Sequence, residues 1–462
     1  MYKITKISIA GLFGYVNHEI ELRQDFPTII TGPNGTGKTH LLKLTQAILS
    51  LDVQQLLNVK YEMISVTFDD GSSITSTQQN SEENDTIVNI FCTDDKGLES
   101  NGVTVSLTEI ADKEAPPFWL KRIPGVYRWV DQRSNRILTA AELESKYNIL
   151  MNMPKNKMGE DERLKDYSKR VTAVLIDTKR LDVSIDMENR FRRHSDHGYY
   201  RSESSRISEY TREIKRQIDT ARRKSIRQTQ SDDLSFARRA LDAAHRTIRE
   251  DYLANEYKKT VKIYNRLVEN ELAVGDDPIE FPQKTTPTVR RILSVFIEDW
   301  NNRLEPLLPI NDKIESLKHV LNSKLNPSGK YVSLTRGGQL VFKTSSEKPL
   351  KVNDLSSGEQ HLIALFSMLL FSTQSGSIVL IDEPEISLHA AWKHDFLDDI
   401  STIAEVNNLQ IVLATHSTNI INGRWELTEE LEFGNIQNGN PMNFEVSDGY
   451  DIYDPDEDLD EE

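Results

Sequence analysis

The sequence predicts an α/β fold with a mixed β-sheet core, an antiparallel β-subdomain and an inserted helical arm, and three features carry that expectation. An apolar strand, Pro27 to Thr31, runs through a glycine-rich turn into a helix whose residues Leu41, Leu42, Leu44, Ala47 and Ile48 recur at helical spacing. Near the other end of the chain, helical stretches alternate with apolar strands at Ser377 to Ile381 and Leu409 to Ala414, the pattern of a layered α/β core. Between these, from about Met187 to Val274, there is no proline, Gly198 is the one glycine, and long runs are rich in Arg, Lys, Glu and Ala. That composition predicts a helical insertion, a hairpin of helices forming a short coiled-coil-like arm.

The remaining elements follow in order. Lys3 to Ile9 and Val16 to Leu22 alternate as half-buried strands do. Lys60 to Phe68, a turn at Asp69-Asp70-Gly71 and Ser72 to Thr77 read as a β-hairpin, with another strand pair between Thr86 and Leu107. After a segment marked by Pro116, Pro117 and Pro124, Val171 to Ile176 reads as a buried strand. Beyond the arm and a loop at Gly275 to Pro287, helices run to about Leu325 and a hairpin occupies Tyr331 to Phe342. Helices are expected from Ser357 to about Phe371 and near Ala390 to Val406. These elements divide into an N-terminal half of the head at 1–180, the insertion at 181–325, the C-terminal half of the head at 326–446 and a tail at 447–462. No repeat array interrupts them.

With 37% hydrophobic residues and 8% aromatic, the 462-residue chain can bury the cores of two or three domains, so a disordered polymer is excluded. A single cysteine, Cys92, excludes an internal disulfide framework and a cysteine-cluster zinc site and fits a reducing cytoplasm. The longest apolar run, Leu362 to Phe371, is about half the length of a membrane helix, so no membrane span is expected. The N-terminal stretch lacks a small-residue cleavage site and continues as a strand pattern, which argues against a signal peptide. The net charge of −16 is unevenly spread. Between Lys179 and Lys262 there are 21 basic and 14 acidic side chains, whereas Asp448 to Glu462 holds nine acids and no base and is expected to be disordered when free.

The chemistry is concentrated in a few motifs. Gly32-Pro33-Asn34-Gly35-Thr36-Gly37-Lys38-Thr39, followed by His40, matches a phosphate-binding loop and sits between a strand and a helix, as the mechanism requires. Glycines let successive backbone N–H groups point at the β- and γ-phosphates, Lys38 supplies a mobile cation and the Thr39 hydroxyl can ligate Mg²⁺. Ile378 to Ile381 ends in Asp382-Glu383, where Asp382 can hold Mg²⁺ through water and Glu383 can orient and deprotonate the attacking water. Leu355-Ser356-Ser357-Gly358-Glu359-Gln360 opens a helix, with Ser356 and the Gly358 amide as anion donors and Glu359 in the first turn.

Taken together, these motifs resemble the ABC ATPase superfamily, whose signature is of the Leu-Ser-Gly-Gly-Gln type and whose switch histidine would here be His416 in Leu413-Ala414-Thr415-His416-Ser417. Ser357, where the common pattern has glycine, is similar to relatives of the clamp and recombination type. The resemblance covers roughly residues 1–110 and 330–425. It implies an ABC-type ATPase head using ATP and Mg²⁺, with the signature of one subunit facing the phosphate loop of another, so that the sites are composite within a homo-oligomer. Glu385-Ile386-Ser387-Leu388-His389 looks like the dimer-facing loop of that subgroup. Thr178 or Lys179 stands where the subgroup places a Mg²⁺-contacting glutamine, so the resemblance implies no glutamine sensor of the γ-phosphate there. The compact arm and the Leu-Ser-Ser-Gly-Glu-Gln-His run look most like the ATPase subunits of bacterial anti-phage systems, that of the PARIS system ahead of those of the Septu and retron systems. This resemblance implies a ring-like homo-oligomer, a hexamer by analogy, that holds a TOPRIM-type effector nuclease and releases it when a phage-encoded trigger protein binds.

Other classes compete with this sensor and scaffold. A self-contained ATPase-nuclease would need a TOPRIM domain after the ATPase, and the short stretch beyond His416 gives Asp454-Pro455-Asp456 no β/α core, so no nuclease centre is expected in this chain. A DNA-binding repair or recombination clamp is kept open by the basic insertion, in which pairs such as Arg192-Arg193 and Arg222-Arg223 could track phosphates. The interleaved acids favour a solvated helix or a subunit interface instead. A transporter motor fits the long insertion poorly.

Overall fold

The structure, a computed structural model, describes residues 2–80, 86–106, 120–122, 128–131, 136–139, 161–177, 206–273, 275, 278–386 and 388–432. In chain order, the strands that frame the head begin with β1 (Ile4–Leu12), β2 (Val16–Glu21), β3 (Thr28–Thr31), β4 (Met63–Phe68), β5 (Ser73–Asn80), β6 (Thr86–Thr93) and β7 (Val103–Ser106). All of these except β3 form one antiparallel sheet in the order β2-β1-β4-β5-β6-β7, the subdomain expected from their alternation. A separate antiparallel sheet holds β8 (Leu120–Arg122), β9 (Arg128–Asp131) and β10 (Arg136–Thr139). The later strands are β11 (Ala173–Asp177), β12 (Lys330–Leu334), β13 (Leu340–Thr344), β14 (Pro349–Leu350), β15 (Ile378–Asp382), β16 (Gln410–Ala414) and β17 (Thr428–Glu430). A parallel sheet of order β11-β15-β16-β3-β17 places a strand from the start of the chain between two from its end.

This parallel sheet has helices or strands on both faces, so its strands are apolar at successive positions rather than at alternate ones. Ile29, Val379, Ile381, Ile411 and Leu413 point into one core, while Ile30, Ile378, Leu380, Val412 and Ala414 point into the other. The second core holds α1 (Lys38–Ser50) and the antiparallel sheet. The first holds the arm helices α2 (Arg206–Asp242) and α3 (Glu250–Glu269) together with α4 (Pro287–Leu304), α5 (Leu308–Leu325) and α6 (Ser357–Ser367). The mixed α/β head with its antiparallel subdomain and helical insertion, expected from the sequence, is thus the fold observed.

Three local expectations need correction. The arm is a bundle of three helices, not a hairpin: α4 starts at Pro287, capped by Thr286, and lies against both α2 and α3. Arg239 on α2 pairs with the buried Asp299 on α4, and Thr260 on α3 donates to Asn301 on α4 at 2.7 Å. Secondly, the strand read as buried at Val171 to Ile176 is the edge strand β11, so Ala173, Val174 and Leu175 are only half-buried. Finally, α6 gives way after Ser367 to a π-turn at Met368–Ser372, and the buried Asn407 amide donates to the Leu369 and Thr373 carbonyls that it presents. The insertion residues 181–205 and the tail lie outside the described residues.

The two sheets are tied at one buried point. The Gln410 side chain accepts from the Ile4 amide at 3.0 Å and donates to the Ile4 carbonyl at 2.6 Å, completing the backbone pairing that β1 lacks there. Gln410→Ala strands both groups away from water, and leaving a buried polar group unpaired costs about 1–3 kcal/mol each. Urea unfolding is expected to show a loss of about 2–4 kcal/mol; a change below about 0.5 kcal/mol would mean that solvent replaces the side chain.

Candidate nucleotide site

The carboxyl ends of β3, β15 and β16 lie side by side, because Ala414 is in register with both Ile30 and Asp382. In open α/β sheets such strand ends are where ligands bind. The loop leaving β3 takes left-handed backbone at Gly32, Gly35 and Gly37 (φ 141°, 87° and 90°). A Cβ on Gly32 would stand 2.5 Å from the Leu431 carbonyl oxygen, and one on Gly37 would stand 2.5 Å from Leu12 Cδ2. Only glycine fits at either place. Gly37 is also the N-cap of α1, and having no side chain it leaves the first-turn amides uncapped. Gly37→Ala is therefore expected to abolish nucleotide binding, measured with a fluorescent ATP analogue; retained affinity would mean that Leu12 gives way.

Other loop residues have settled roles. Thr36 is fully buried and its hydroxyl donates to the Pro33 carbonyl at 2.9 Å, so its side chain braces the loop and does not face a ligand. The ring of His18 bonds the Thr36 carbonyl at 2.8 Å from below, with burial lowering its basicity. His40 packs edge-on against Phe13, with ring centroids 5.0 Å apart, and is pushed towards the neutral form by burial and then by Lys43. The Lys38 ammonium donates to the Gly32 and Pro33 carbonyls at 2.8 and 2.9 Å. Burial lowers its pKa, and the charges of Glu383, Asp382 and Glu385 oppose that shift.

The Thr39 hydroxyl donates to Asp382 Oδ1 at 3.1 Å. Two adjacent ligands of an octahedral Mg²⁺ at about 2.1 Å stand about 3.0 Å apart, so this hydroxyl and carboxylate fit one such ion. Next in the chain, Glu383 adopts a left-handed conformation (φ 48°) and its amide donates to the Ala414 carbonyl at 2.8 Å. A non-glycine residue there is unusual, and it turns the Glu383 side chain out of the strand register. Glu385 then accepts from the Thr415 hydroxyl at 2.8 Å and from the His416 amide at 3.0 Å. The phosphate loop, Asp382, Glu383 and the His416 loop are thus brought together at one end of the sheet. The bracing by Glu385 escapes sequence reasoning, although the Glu383-Pro384-Glu385 run held its signal.

The Ser356 to Glu359 segment is not part of that cluster. Ser356 caps α6 by accepting from the Glu359 amide, and Glu359 returns the bond to the Ser356 amide at 2.7 Å. The buried Glu359 carboxylate also pairs with Lys330 at 2.9 Å and accepts from Ser328. Burial opposes its ionisation, and Lys330 and the Ser356 amide outweigh that and lower its pKa, so this side chain holds the cap and, contrary to expectation, is not free to bind a cofactor. The apolar side of α6 lies in the first core and that of α1 in the second, across the parallel sheet. Within one chain the signature and the phosphate loop therefore sit on opposite faces. Thr178, Lys179 and Ser387 lie outside the described residues. Of the arginine pairs, Arg222 donates to the Glu271 carbonyl and Arg223 to Thr220, and Arg192 and Arg193 are outside the described residues.

A phosphate cradle at a strand end, oxygen donors spaced for one hard cation and a carboxylate beside them define a nucleoside-triphosphatase head. The sequence model of the AAA ATPase domain matches residues 2–421, and the chain belongs to that family. Among solved structures, the Smc head domain of Pyrococcus furiosus with an extended coiled coil, bound to the C-terminal domain of ScpA, is 15% identical with a TM-score of 0.35, covering 91% of each chain. The SMC head domain of Thermotoga maritima is 11% identical with a TM-score of 0.32 over 92% of each chain. A recombination mediator protein RecF with bound ATPγS is 13% identical with a TM-score of 0.28, over 91% of this chain and 94% of that one. No curated protein matches. Among the described residues no helix is long and apolar enough to cross a membrane.

Proposed function

We propose that this ATPase hydrolyses ATP with Mg²⁺ at a site completed by a second copy, and that its nucleotide state holds or releases a partner effector nuclease in anti-phage defence. The observation that carries the first part is the placement of the signature and the phosphate loop on opposite faces of one sheet. Thr39 and Asp382 would hold the ion, which when bound neutralises charge on the β- and γ-phosphates. Glu383 takes a proton from the attacking water, Lys38 binds the phosphates and His416 hydrogen-bonds the γ-phosphate. Ser356 and the Gly358 amide of a second copy cap the nucleotide from the other side.

The second part rests on the resemblance of the motifs to anti-phage ATPases. The occupant is then a TOPRIM-type nuclease, kept inactive in a homo-oligomer of hexameric size and freed, as a toxin is from its antitoxin, by a phage-encoded trigger protein in the cytoplasm. A trigger shifts such an equilibrium only through different affinities for the two states, about 5.5 kcal/mol between nearly all held and nearly all released. Co-expression with the nuclease encoded beside it, followed by purification in ATP and in ADP, is expected to yield a complex in one nucleotide state. No co-purification in either state would overturn the scaffold reading. The alternative, a DNA-binding repair or recombination clamp, draws on the basic insertion, but Arg222, Arg223 and Arg239 already have partners within the arm. A steep fall of duplex affinity with salt would revive it.

A further inference from the structure

We infer that Glu385 is a positioning residue for hydrolysis: its carboxylate fixes the loop carrying His416 to the loop carrying Glu383, so that the two groups flanking the γ-phosphate keep one mutual geometry. The inference rests on the ATPase reading of this site and adds a residue to it. Three observations support it. Both carboxylate oxygens serve the same neighbouring loop, Oε2 taking the Thr415 hydroxyl at 2.8 Å and Oε1 the His416 amide at 3.0 Å. Thr415 is fully buried and pinned on its other sides, its amide donating to the Ile30 carbonyl at 3.1 Å and its hydroxyl accepting from the Ser417 amide at 2.9 Å. Ile30 belongs to the strand that enters the phosphate loop, so one chain of bonds runs from β3 through Thr415 and Glu385 to the turn at Glu383.

At position 385 the carboxylate accepts two bonds, one on each oxygen. Hydrogen bonds to a carboxylate are about twice as strong as neutral ones, so a Glu here holds the loop more firmly than Gln or Asn could. The charge has a second effect, since Glu385 is one of three carboxylates that favour the protonated form of Lys38. Without the carboxylate, the backbone bonds from Thr415 to β3 and from the Glu383 amide to the Ala414 carbonyl remain, but the Thr415 hydroxyl and the His416 amide lose their acceptor, so His416 itself is no longer fixed relative to Glu383. Nucleotide would still bind, because the cradle of residues 32–39 does not use Glu385, while the chemical step would slow. A purely structural role would weaken folding and binding together.

The test compares ATP turnover, ATP binding and thermal unfolding of the full chain with Glu385→Ala, Glu385→Gln and Thr415→Val. Glu385→Ala is expected to lower kcat about 10- to 100-fold, within the range for a misplaced catalytic group, with KM changed less than about 3-fold. Glu385→Gln is expected to recover most of kcat, its carbonyl taking the His416 amide and its NH₂ donating to the Thr415 oxygen. Thr415→Val, close in shape, should fall between them and carries the test if Glu385→Ala does not fold. Turnover by the wild-type chain with unaltered kcat in Glu385→Ala and Thr415→Val would overturn the inference and leave the ATPase reading intact. Equal losses in kcat and affinity, or no recovery in Glu385→Gln, would also overturn it. Absence of wild-type hydrolysis in every oligomeric state would instead remove the reading on which it rests.

Discussion

A chain carrying Glu383→Gln is expected to bind ATP and retain it, with turnover lower by about 10²- to 10⁴-fold, the usual contribution of a positioned general base. Gln keeps the size and can keep the left-handed backbone that Glu383 adopts, so the bond from its amide to the Ala414 carbonyl and the neighbouring Asp382–Thr39 contact should survive. What is lost is a basic oxygen able to accept a proton from water. Phosphate release in steady state, set beside nucleotide retained after gel filtration, separates the two effects. Turnover near that of the wild-type chain would remove Glu383 from the mechanism and move attention to another base.

Mixing two inactive chains is expected to restore about a quarter of wild-type turnover if sites form between neighbouring copies at random. Lys38→Ala removes the phosphate-binding cation from one side of the sheet, and Ser356→Arg places a bulky cation where the cap of α6 would meet nucleotide on the other. An interface is intact only when its phosphate loop comes from the Ser356→Arg chain and its signature from the Lys38→Ala chain. That condition has the same frequency in a dimer and in a ring, so the test does not depend on subunit number. No recovery in oligomers shown to contain both chains would count against composite sites.

How much of this was readable beforehand depended on how local each signal is. The phosphate loop and the Asp382-Glu383 pair were legible because the glycines, Lys38, Thr39 and the apolar strands lie within a few residues of one another. The strands themselves were legible for the same reason, since apolar runs at Thr28–Thr31, Ile378–Asp382 and Gln410–Ala414 have few alternatives. Edge against centre was not legible for β11, because it depends on which strands flank it in space and not on Ala173 to Asp177 themselves. The packing of the arm was not legible: α4 is expected as a helix, but the loop before Pro287 separates it from α3, and its contacts to α2 through Arg239–Asp299 and to α3 through Thr260–Asn301 and Arg290–Glu250 exist only in the folded chain. Glu359 illustrates a different limit. Its place in the capping box could be read from Ser356, but the pairing with Lys330 needed the β12–β13 hairpin folded back onto α6.

The insertion of β3 between β16 and β17 sets an order of events during synthesis. The strand that delivers the phosphate loop gains its sheet neighbours only after residues 410–430 have left the ribosome. At about 5–20 residues per second, some 400 residues take roughly 20–80 s. Throughout that interval the glycine loop has no wall opposite it and Asp382 has not been made or is not yet placed beside Thr39. The arrangement that sets the phosphate loop beside Asp382 therefore exists only once nearly the whole head has been made.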